Sequence, residues 1–474
     1  MPCLVLNSIL FAGLTSIFAA ILGMIAFMAL ISFPLRLHKV AIVGAIACFL
    51  MPPFLHAGAW WDIGMKLSLP IATLPFGAMV LSLQLWPIIT LLLFASSTRL
   101  DSSLLEAAKL SLSNRRTWGH VIFPLLSPAL ALACLVVFIL TLNNFIVPTT
   151  FQTYVQIAEI YVMFSSLYDT CAALLQSVPL WIISLFILST AAGLTRRITT
   201  GWANRHVARR LDLSMFPQLC NRPLCLLIFA LLLMISLLPS SWRLISSVSS
   251  VDMLTTWRLA IPQFVASFIY AAGSALLSCF IGLILGRTAL CRQCVPAEWI
   301  LITPFILSGL FLSILLIALN QWAGAWAWWQ GTWLLGVAAL TIRFVWIPFK
   351  TATATLSQIH PDLLDAARLF AIPSGSIFRH IQWPLLKPFM LAAAWIVYLL
   401  ALWDVETLLL VYPPGGEPVS LKIFQLLHYG YDAQVAVLSL GLLVMGLLPG
   451  GFLALYLRNS RKSIPLNTTT IHEI

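Results

Sequence analysis

Apolar runs longer than about 18 residues recur along the whole chain, and they constrain its fold more than any other feature. Hydrophobic residues make up 61% of the sequence and charged residues only 9%, a balance unlike that of soluble domains. In lipid, a spanning backbone must satisfy its own hydrogen bonds, which favours helices. The predicted fold class is therefore an all-α polytopic membrane protein with eleven spans, near residues 5–30, 40–58, 70–97, 121–142, 175–195, 223–241, 262–286, 298–319, 332–351, 384–402 and 435–457.

The net charge of +11 follows the alternation of the loops between these spans. One set of loops carries nearly all the Arg and Lys, whereas the opposite set holds only Lys66, Arg243, Arg258 and Lys422. Because positive loops stay in the cytoplasm, this pattern predicts an outside N-terminus and a cytoplasmic C-terminus. The basic excess thus predicts contact with a lipid bilayer and no nucleic-acid partner.

A repeat divides the chain into two halves. Leu104–Leu110 reads LLEAAKL and Leu363–Leu369 reads LLDAARL, and PLLSP at Pro124–Pro128 is matched by PLLKP at Pro384–Pro388. Both copies are polar stretches between spans on the predicted cytoplasmic side. Same-topology repeats of this kind are typical of transporters, so we predict two tandem parallel repeats of about five and six transmembrane helices.

The repeat also predicts the domain boundaries. Residues 1–200 form the first transmembrane domain, residues 201–222 a basic cytoplasmic linker, and residues 223–474 the second transmembrane domain. The span at 223–241 has no counterpart in the first half. We therefore expect the first domain to lack its opening helix, either through a truncated start or through genuine loss.

Each repeated loop has the pattern of a short amphipathic helix. Leu105, Ala108 and Leu112 share one face, and Glu106 stands where it could meet a cation. Small alanines allow a partner surface to approach closely. Two such loops at equivalent positions predict two equivalent contacts for a two-fold symmetric partner.

These loops resemble the EAA loop of permeases from bacterial binding-protein-dependent ABC importers. The residues that carry the resemblance, together with the positions where the motif has glycine, are Glu106, Ala107, Ala108 and Leu112 in the first copy and Asp365, Ala366, Ala367 and Ala371 in the second. Leu112 and Ala371 replace that glycine. Two such domains in one chain are similar to the fused permeases of ferric-iron and thiamine importers.

The resemblance implies a division of labour. The loops would couple to an ABC ATPase homodimer, and a periplasmic solute-binding protein would deliver the solute to a multi-pass subunit of the bacterial inner membrane. No lysine of this chain completes GxxxxGK[ST], so ATP hydrolysis falls to the partner. We expect no enzymatic activity, no bound cofactor and no metal site in this chain.

Six polar residues are candidates for the translocation path. Arg343 lies within a span opposite Gln84 of the first half, and it either lines a cavity or reaches the headgroups. The others lie at the outer ends of equivalent helices, where they either flank the path or are solvated: Asn143, Asn144, Asp404 and Glu406. Acidic ends favour a cationic solute such as ferric iron or thiamine.

Two other classes of protein fit the sequence less well. A secondary transporter driven by an ion gradient explains the spans and the repeat but not the paired cytoplasmic loops. An intramembrane enzyme would need a catalytic constellation, and the sequence has no HExxH motif or comparable pair.

Overall fold

A computed structural model describes residues 2–98, 100, 102–167, 169–203, 221–248, 253–292, 295–322, 331–357, 359, 369 and 373–462, and the regular structure within these ranges is entirely helical. Eight helices are long and apolar enough to cross a membrane, and the number rises to eleven if each of three bent helix pairs forms one span. The predicted all-α polytopic membrane fold is confirmed.

The chain divides into two compact units, Met1–Ser247 and Val248–Ile474. The helices of the first unit are α1 (Pro2–Ile31), α2 (Leu35–Phe49), α3 (Pro53–Lys66), α4 (Leu74–Ser97), α5 (Ser102–Ser111), α6 (Asn114–Thr117), α7 (Phe123–Leu142), α8 (Ile146–Thr150), α9 (Gln156–Ser165), α10 (Thr170–Ala203) and α11 (Arg222–Val248). A π-helical turn at Trp118–Ile122 joins α6 to α7.

The core of the first unit forms where α1, α4 and α7 pack against one another. Helix α10 packs on α7 and α9, and α3 packs on the short helix α8. Phe27 of α1 lies edge-on to Trp118 of the π-helical turn, with ring centroids 6.4 Å apart. The segment that follows the first repeated loop is thereby anchored to the core.

Helix α11 also packs in the first unit. Its residues Cys225, Phe229 and Leu232 join an apolar cluster with α1, α2 and α4, and Phe229 lies edge-on to Trp86 at 5.9 Å between ring centroids. The sequence repeat assigns this helix to the second domain, and that boundary stays a prediction about the repeat. The packing division falls one helix later. Most of the predicted linker lies outside the described residues.

The second unit contains α12 (Met253–Leu259), α13 (Ile261–Arg292), α14 (Val295–Ile306), α15 (Gly309–Trp322), α16 (Trp333–Phe344), α17 (Trp346–Leu356), α18 (Ser374–Ile377), α19 (Trp383–Trp403), α20 (Leu408–Val411), α21 (Val419–His428) and α22 (Asp432–Lys462). A π-helical turn at Phe378–Gln382 joins α18 to α19. Within this unit α13 packs on α16, α17 and α19, as α1 packs on α4 and α7 in the first unit.

Matching hydrogen bonds accompany the matching order of helices. The amide of Gln156 donates to the Ser8 hydroxyl at 2.8 Å, and the amide of Val419 donates to the Ser267 hydroxyl at 2.8 Å. Ser8 and Ser267 occupy equivalent positions in the sequence repeat. The two units therefore repeat one architecture at the level of single contacts.

Three apolar helix pairs within the described residues are bent by more than 40° at a short break. Helices α2 and α3 meet at 83°, α14 and α15 at 108°, and α16 and α17 at 42°. Pro52 and Pro53 end α2 because proline offers no amide donor and its ring crowds the preceding turn. Pro348 stands in the first turn of α17 and has the same effect there. The sequence predicted these segments as simple spans, without the bends.

Candidate functional site

The first repeated loop contains helix α5, whose two sides have different surroundings. Leu105 and Ala108 are 1% and 7% exposed, so this side packs within the unit. Glu106 and Ala107 are exposed, and Leu110 is 91% exposed. The outer side of α5 therefore carries the Glu106 carboxylate, the exposed Lys109 and one projecting leucine.

The apolar face of this loop packs largely inside its own unit, and the coupling role of the loop stays a prediction. Of the three residues predicted to share this face, Leu105 and Ala108 are buried inside their own unit and Leu112 is half-buried. Sequence periodicity predicts an apolar face of a helix, but it does not indicate whether the same unit or a partner protein buries that face. The residues free to meet another protein are those around Glu106 and Leu110.

Most of the second loop lies outside the described residues, including four predicted contact residues: Asp365, Ala366, Ala367 and Ala371. Leu369 is described and is 87% exposed. It occupies the position equivalent to Leu110, because Leu104–Leu110 aligns with Leu363–Leu369. Both loops thus present an almost fully exposed leucine at the same place in the repeat.

Each loop leads into a membrane span through a continuous helix. The segments Asn114–Leu142 and Gly375–Trp403 each form one apolar helix of 29 residues. Each contains a π-helical turn, in which the Phe123 amide donates to the Trp118 carbonyl and the Trp383 amide to the Phe378 carbonyl.

The π-helical turns stand directly before the prolines of the repeat, Pro124 and Pro384. A proline inside an α-helix loses one hydrogen bond, and its ring clashes with the carbonyl four residues earlier. The wider π-helical turn relieves this crowding, and the helix continues. The proline segment of each repeat thus has a structural consequence: the residues from Asn114 in the first copy and from Gly375 in the second continue into the span as one helix.

The path candidates of the first unit are hydrogen-bonded to backbone. Gln84 is 5% exposed, and its side-chain amide donates to the Met51 carbonyl at 2.7 Å, in the break between α2 and α3. Asn143 donates to the Ile139 carbonyl at 2.9 Å, and the Asn144 side-chain oxygen accepts the Val147 amide at 3.0 Å. These residues hold helix ends and a helix break.

Three path candidates of the second unit form one buried cluster. The Arg343 guanidinium donates to the Asp404 carboxylate at 2.8 Å and to the Glu406 carboxylate at 3.4 Å. It also donates to the Thr407 hydroxyl at 2.6 Å. Asp404 and Glu406 are each 8% exposed.

This cluster excludes two of the open interpretations. Asp404 and Glu406 are not solvated helix ends, and Arg343 bonds to carboxylates of its own unit instead of extending to headgroups. Because both carboxylates bind Arg343, their presence no longer favours a cationic solute. A role along the translocation path stays a prediction for all six residues.

Sequence reasoning missed two participants, Thr407 and Gly309. Thr407 accepts from Arg343 and donates to Asp404 at 2.8 Å. A Cβ atom at Gly309 would lie 2.0 Å from Arg343 Nη1, so only glycine fits beside the guanidinium. The sequence signal that could have identified Gly309 was a glycine at the start of a helix that follows a break.

Arg243 also departs from its predicted place. The charge pattern put it in an outer loop, but it lies in α11 and is 7% exposed. Its Nε atom is 3.0 Å from the Asp62 carboxylate of α3. One face of α11 is therefore polar, with Ser240 beside His56 at 3.3 Å and Ser236 accepting from the Trp86 indole at 3.0 Å.

Comparison with known proteins identifies relatives, although no protein-family model matches the chain. It is 30% identical over 112 residues to a Salmonella typhimurium protein that carries the name 2-aminoethylphosphonate transport system permease protein PhnV, covering 23% of this chain and 42% of that protein. A Pyrococcus horikoshii protein named as an ABC transporter permease is 29% identical over 164 residues, covering 29% of this chain and 55% of that protein. The chain thus spans about half or less of each relative's length. These names agree with the resemblance that the sequence predicted, and the chain is similar to ABC transporter permeases.

Proposed function

We propose that this chain is the permease subunit of an ABC importer in a bacterial cytoplasmic membrane, coupled to separate ATPase subunits through its two repeated loops. The observation that carries the proposal is the pair of outward leucines, Leu110 and Leu369, at equivalent positions of those loops. Similarity to ABC transporter permeases supports the same class.

An exposed leucine side chain stabilises a protein complex when the surface of a partner buries it. Burying one leucine side chain contributes about 1.5–3 kcal/mol. Leu110 is 91% exposed, so nearly all of this contribution is available to a partner. Glu106, four residues earlier on the helix, adds a charge that can pair with a cation on that partner. An apolar projection with the Glu106 carboxylate and the exposed Lys109 on the same short helix suits an apolar groove whose rim offers a cation to Glu106 and an anion to Lys109.

The continuous helices explain how a docked loop would act on the membrane part. A push on α5 of the first loop passes through Leu112 and Ser113 to the helix Asn114–Leu142, which continues into the apolar span without a further break. The bonds within a helix resist bending far more than those of a loop. ATP-driven movement of the partner therefore becomes movement of a span.

The remaining partners follow from the proposed class. The loops face the cytoplasm, with the N-terminus outside and the C-terminus inside, as the loop charges predict. Two equivalent loops suit a homodimer of ATPase subunits. A periplasmic solute-binding protein would deliver the solute to the opposite face. The chain itself is a transport subunit that leaves ATP hydrolysis to its partner, because none of its lysines completes a phosphate-binding loop.

Recovery of the ATPase from native membranes tests the proposal. The tagged chain, solubilised in mild detergent, should retain a polypeptide that contains GxxxxGK[ST] and hydrolyses ATP. The double variant Glu106→Lys and Asp365→Lys should lose this polypeptide, because both loops then present the wrong charge. Each single variant should keep part of it and should uncouple ATP hydrolysis from uptake in whole cells.

A charge reversal elsewhere provides the control. Glu159→Lys changes a half-buried carboxylate on α9, outside both loops, and should leave recovery of the ATPase unchanged. Equal recovery with the double variant would refute the role of the loops. Transport by the purified chain alone under an ion gradient would instead identify a secondary transporter.

A further inference from the structure

Three interruptions of the second unit meet at one side chain. Arg343 is next to the last residue of α16 and stands before the bend to α17. It lies against Gly309, the first residue of α15 after the sharp break from α14. Its acceptors belong to the segment 404–407 between α19 and α20. Interrupted helices leave backbone groups without helical partners, which other groups must satisfy in a membrane.

The bonds in this cluster connect each interruption to the next. The Asp404 carboxylate accepts both from Arg343 and from the Thr407 amide, the latter at 2.8 Å. The Ser313 hydroxyl of α15 donates to the Thr407 carbonyl at 2.6 Å. Thr407 is fully buried. The Arg343 guanidinium of α16 thus bonds to the segment before α20, and that segment is bonded to α15 through Ser313.

In the first unit, uncharged side chains bond to the backbone at the equivalent positions. Gln84, at the position equivalent to Arg343, donates to the carbonyl of Met51 in the break between α2 and α3. Asn144, equivalent to Asp404, accepts the Val147 amide as Asp404 accepts the Thr407 amide. Amides in one unit therefore occupy the places of the guanidinium and carboxylate in the other.

We propose that Arg343 is a positioning residue, which holds the broken helices α14–α15, α16–α17 and α20 of the second unit in one block through Asp404, Glu406 and Thr407. Its charge serves to match the two carboxylates and does not itself bind the solute. The consequence for transport rests on the proposed function, because a span can be moved as a unit only if its broken parts stay together.

Charge matching gives a clear test. Removing one member of a buried ion pair strands the other charge, whereas replacing the whole set with neutral groups is often tolerated. Arg343→Gln alone should therefore loosen the block, and so should Asp404→Asn with Glu406→Gln. In the triple variant Arg343→Gln, Asp404→Asn, Glu406→Gln the block should hold together again. Neutral side chains, Gln84 and Asn144, already occupy the equivalent positions in the first unit.

Hydrogen exchange of the purified chain in lipid nanodiscs measures the block without a partner protein. In the two unmatched variants, the amides of residues 306–310 and 404–411 should exchange at least about tenfold faster than in the wild type, and in the triple variant within about threefold of it. Lys422→Gln is the control, because it removes the partly exposed pair with Glu417 at 3.8 Å and should change nothing in these segments.

ATP hydrolysis by the complex with its ATPase provides the second measurement. It should fall in the unmatched variants and return in the triple variant. Wild-type exchange in Arg343→Gln would overturn the proposal, and so would a triple variant with wild-type exchange but no recovery of activity, since that result would mean the charges themselves are needed. Absence of any ATPase partner would instead refute the proposed function and leave the exchange result standing.

Discussion

Two glycines of α1 offer a matched pair of substitutions with opposite expected effects. A Cβ atom at Gly23 would lie 2.5 Å from Ile89 Cβ and 2.9 Å from the Trp86 carbonyl oxygen of α4. A Cβ atom at Gly13 would meet nothing within 4 Å. Close approach at small residues is how helices pack in membranes. We therefore expect Gly23→Ala to destabilise the first unit and Gly13→Ala to be neutral or mildly stabilising.

The distances set the magnitude. Ordinary carbon contacts lie at about 3.5–4.0 Å, so α1 and α4 must separate by about 1 Å to accept Ala at position 23. Overpacking of this size costs about 1–3 kcal/mol. The hydrogen bond from Thr90 to the Gly23 carbonyl, 3.0 Å long, would be stretched as well, at a cost of about 0.6 kcal/mol. Ala at position 13 gains up to about 1 kcal/mol of helix propensity.

The second unit repeats the comparison. Gly282, at the position equivalent to Gly23, would place a Cβ atom 2.7 Å from the Phe349 amide nitrogen, and backbone cannot rotate aside. Ala272 already occupies the position equivalent to Gly13. We expect Gly282→Ala to be at least as damaging as Gly23→Ala.

Unfolding of the purified variants in mixed detergent micelles measures the difference. The denaturing mole fraction of sodium dodecyl sulfate at the midpoint should fall for Gly23→Ala and stay level or rise for Gly13→Ala, a gap of about 3 kcal/mol between two identical chemical changes. Equal midpoints for the two variants would refute the reasoning, because they share residue type and helix and differ only in the neighbouring atoms.

Further predictions concern the loops and the topology. Leu110→Ala and Leu369→Ala should each weaken the affinity for the ATPase about 30-fold, because each removes about 2 kcal/mol of apolar contact. Neither substitution should change the midpoint of unfolding. Titration with the purified ATPase measures the affinity. Leu167→Ala, at a leucine 63% exposed outside both loops, is the control. A reporter enzyme fused after Asn114 should be active only in the cytoplasm, and one fused after Gln156 only in the periplasm. Opposite activities would reverse the orientation.

The all-α polytopic membrane fold could be read from the sequence, because hydropathy over about 18 residues reflects the lipid environment directly. The repeat could be read as well, since Glu106 and Asp365 stand in nearly identical contexts. Both features depend on residues close together in the chain. The bends were not predicted. For example, α14 and α15 together have the length and hydropathy of a single span, so hydropathy alone does not reveal the break between them.

The surroundings of individual side chains were decided only by the tertiary structure. Periodicity placed Leu105 and Ala108 on one face, but the fold covered that face with its own unit. Arg343 and Asp404 are 61 residues apart in the sequence, and the residues around each do not predict that the two side chains pair. The sequence repeat assigns helix α11 to the second domain, whereas the helix packs within the first unit. The sequence by itself determined which segments are apolar enough to cross a membrane. The contacts between distant segments decided which polar groups are paired, because pairing depends on distances that the chain order does not encode.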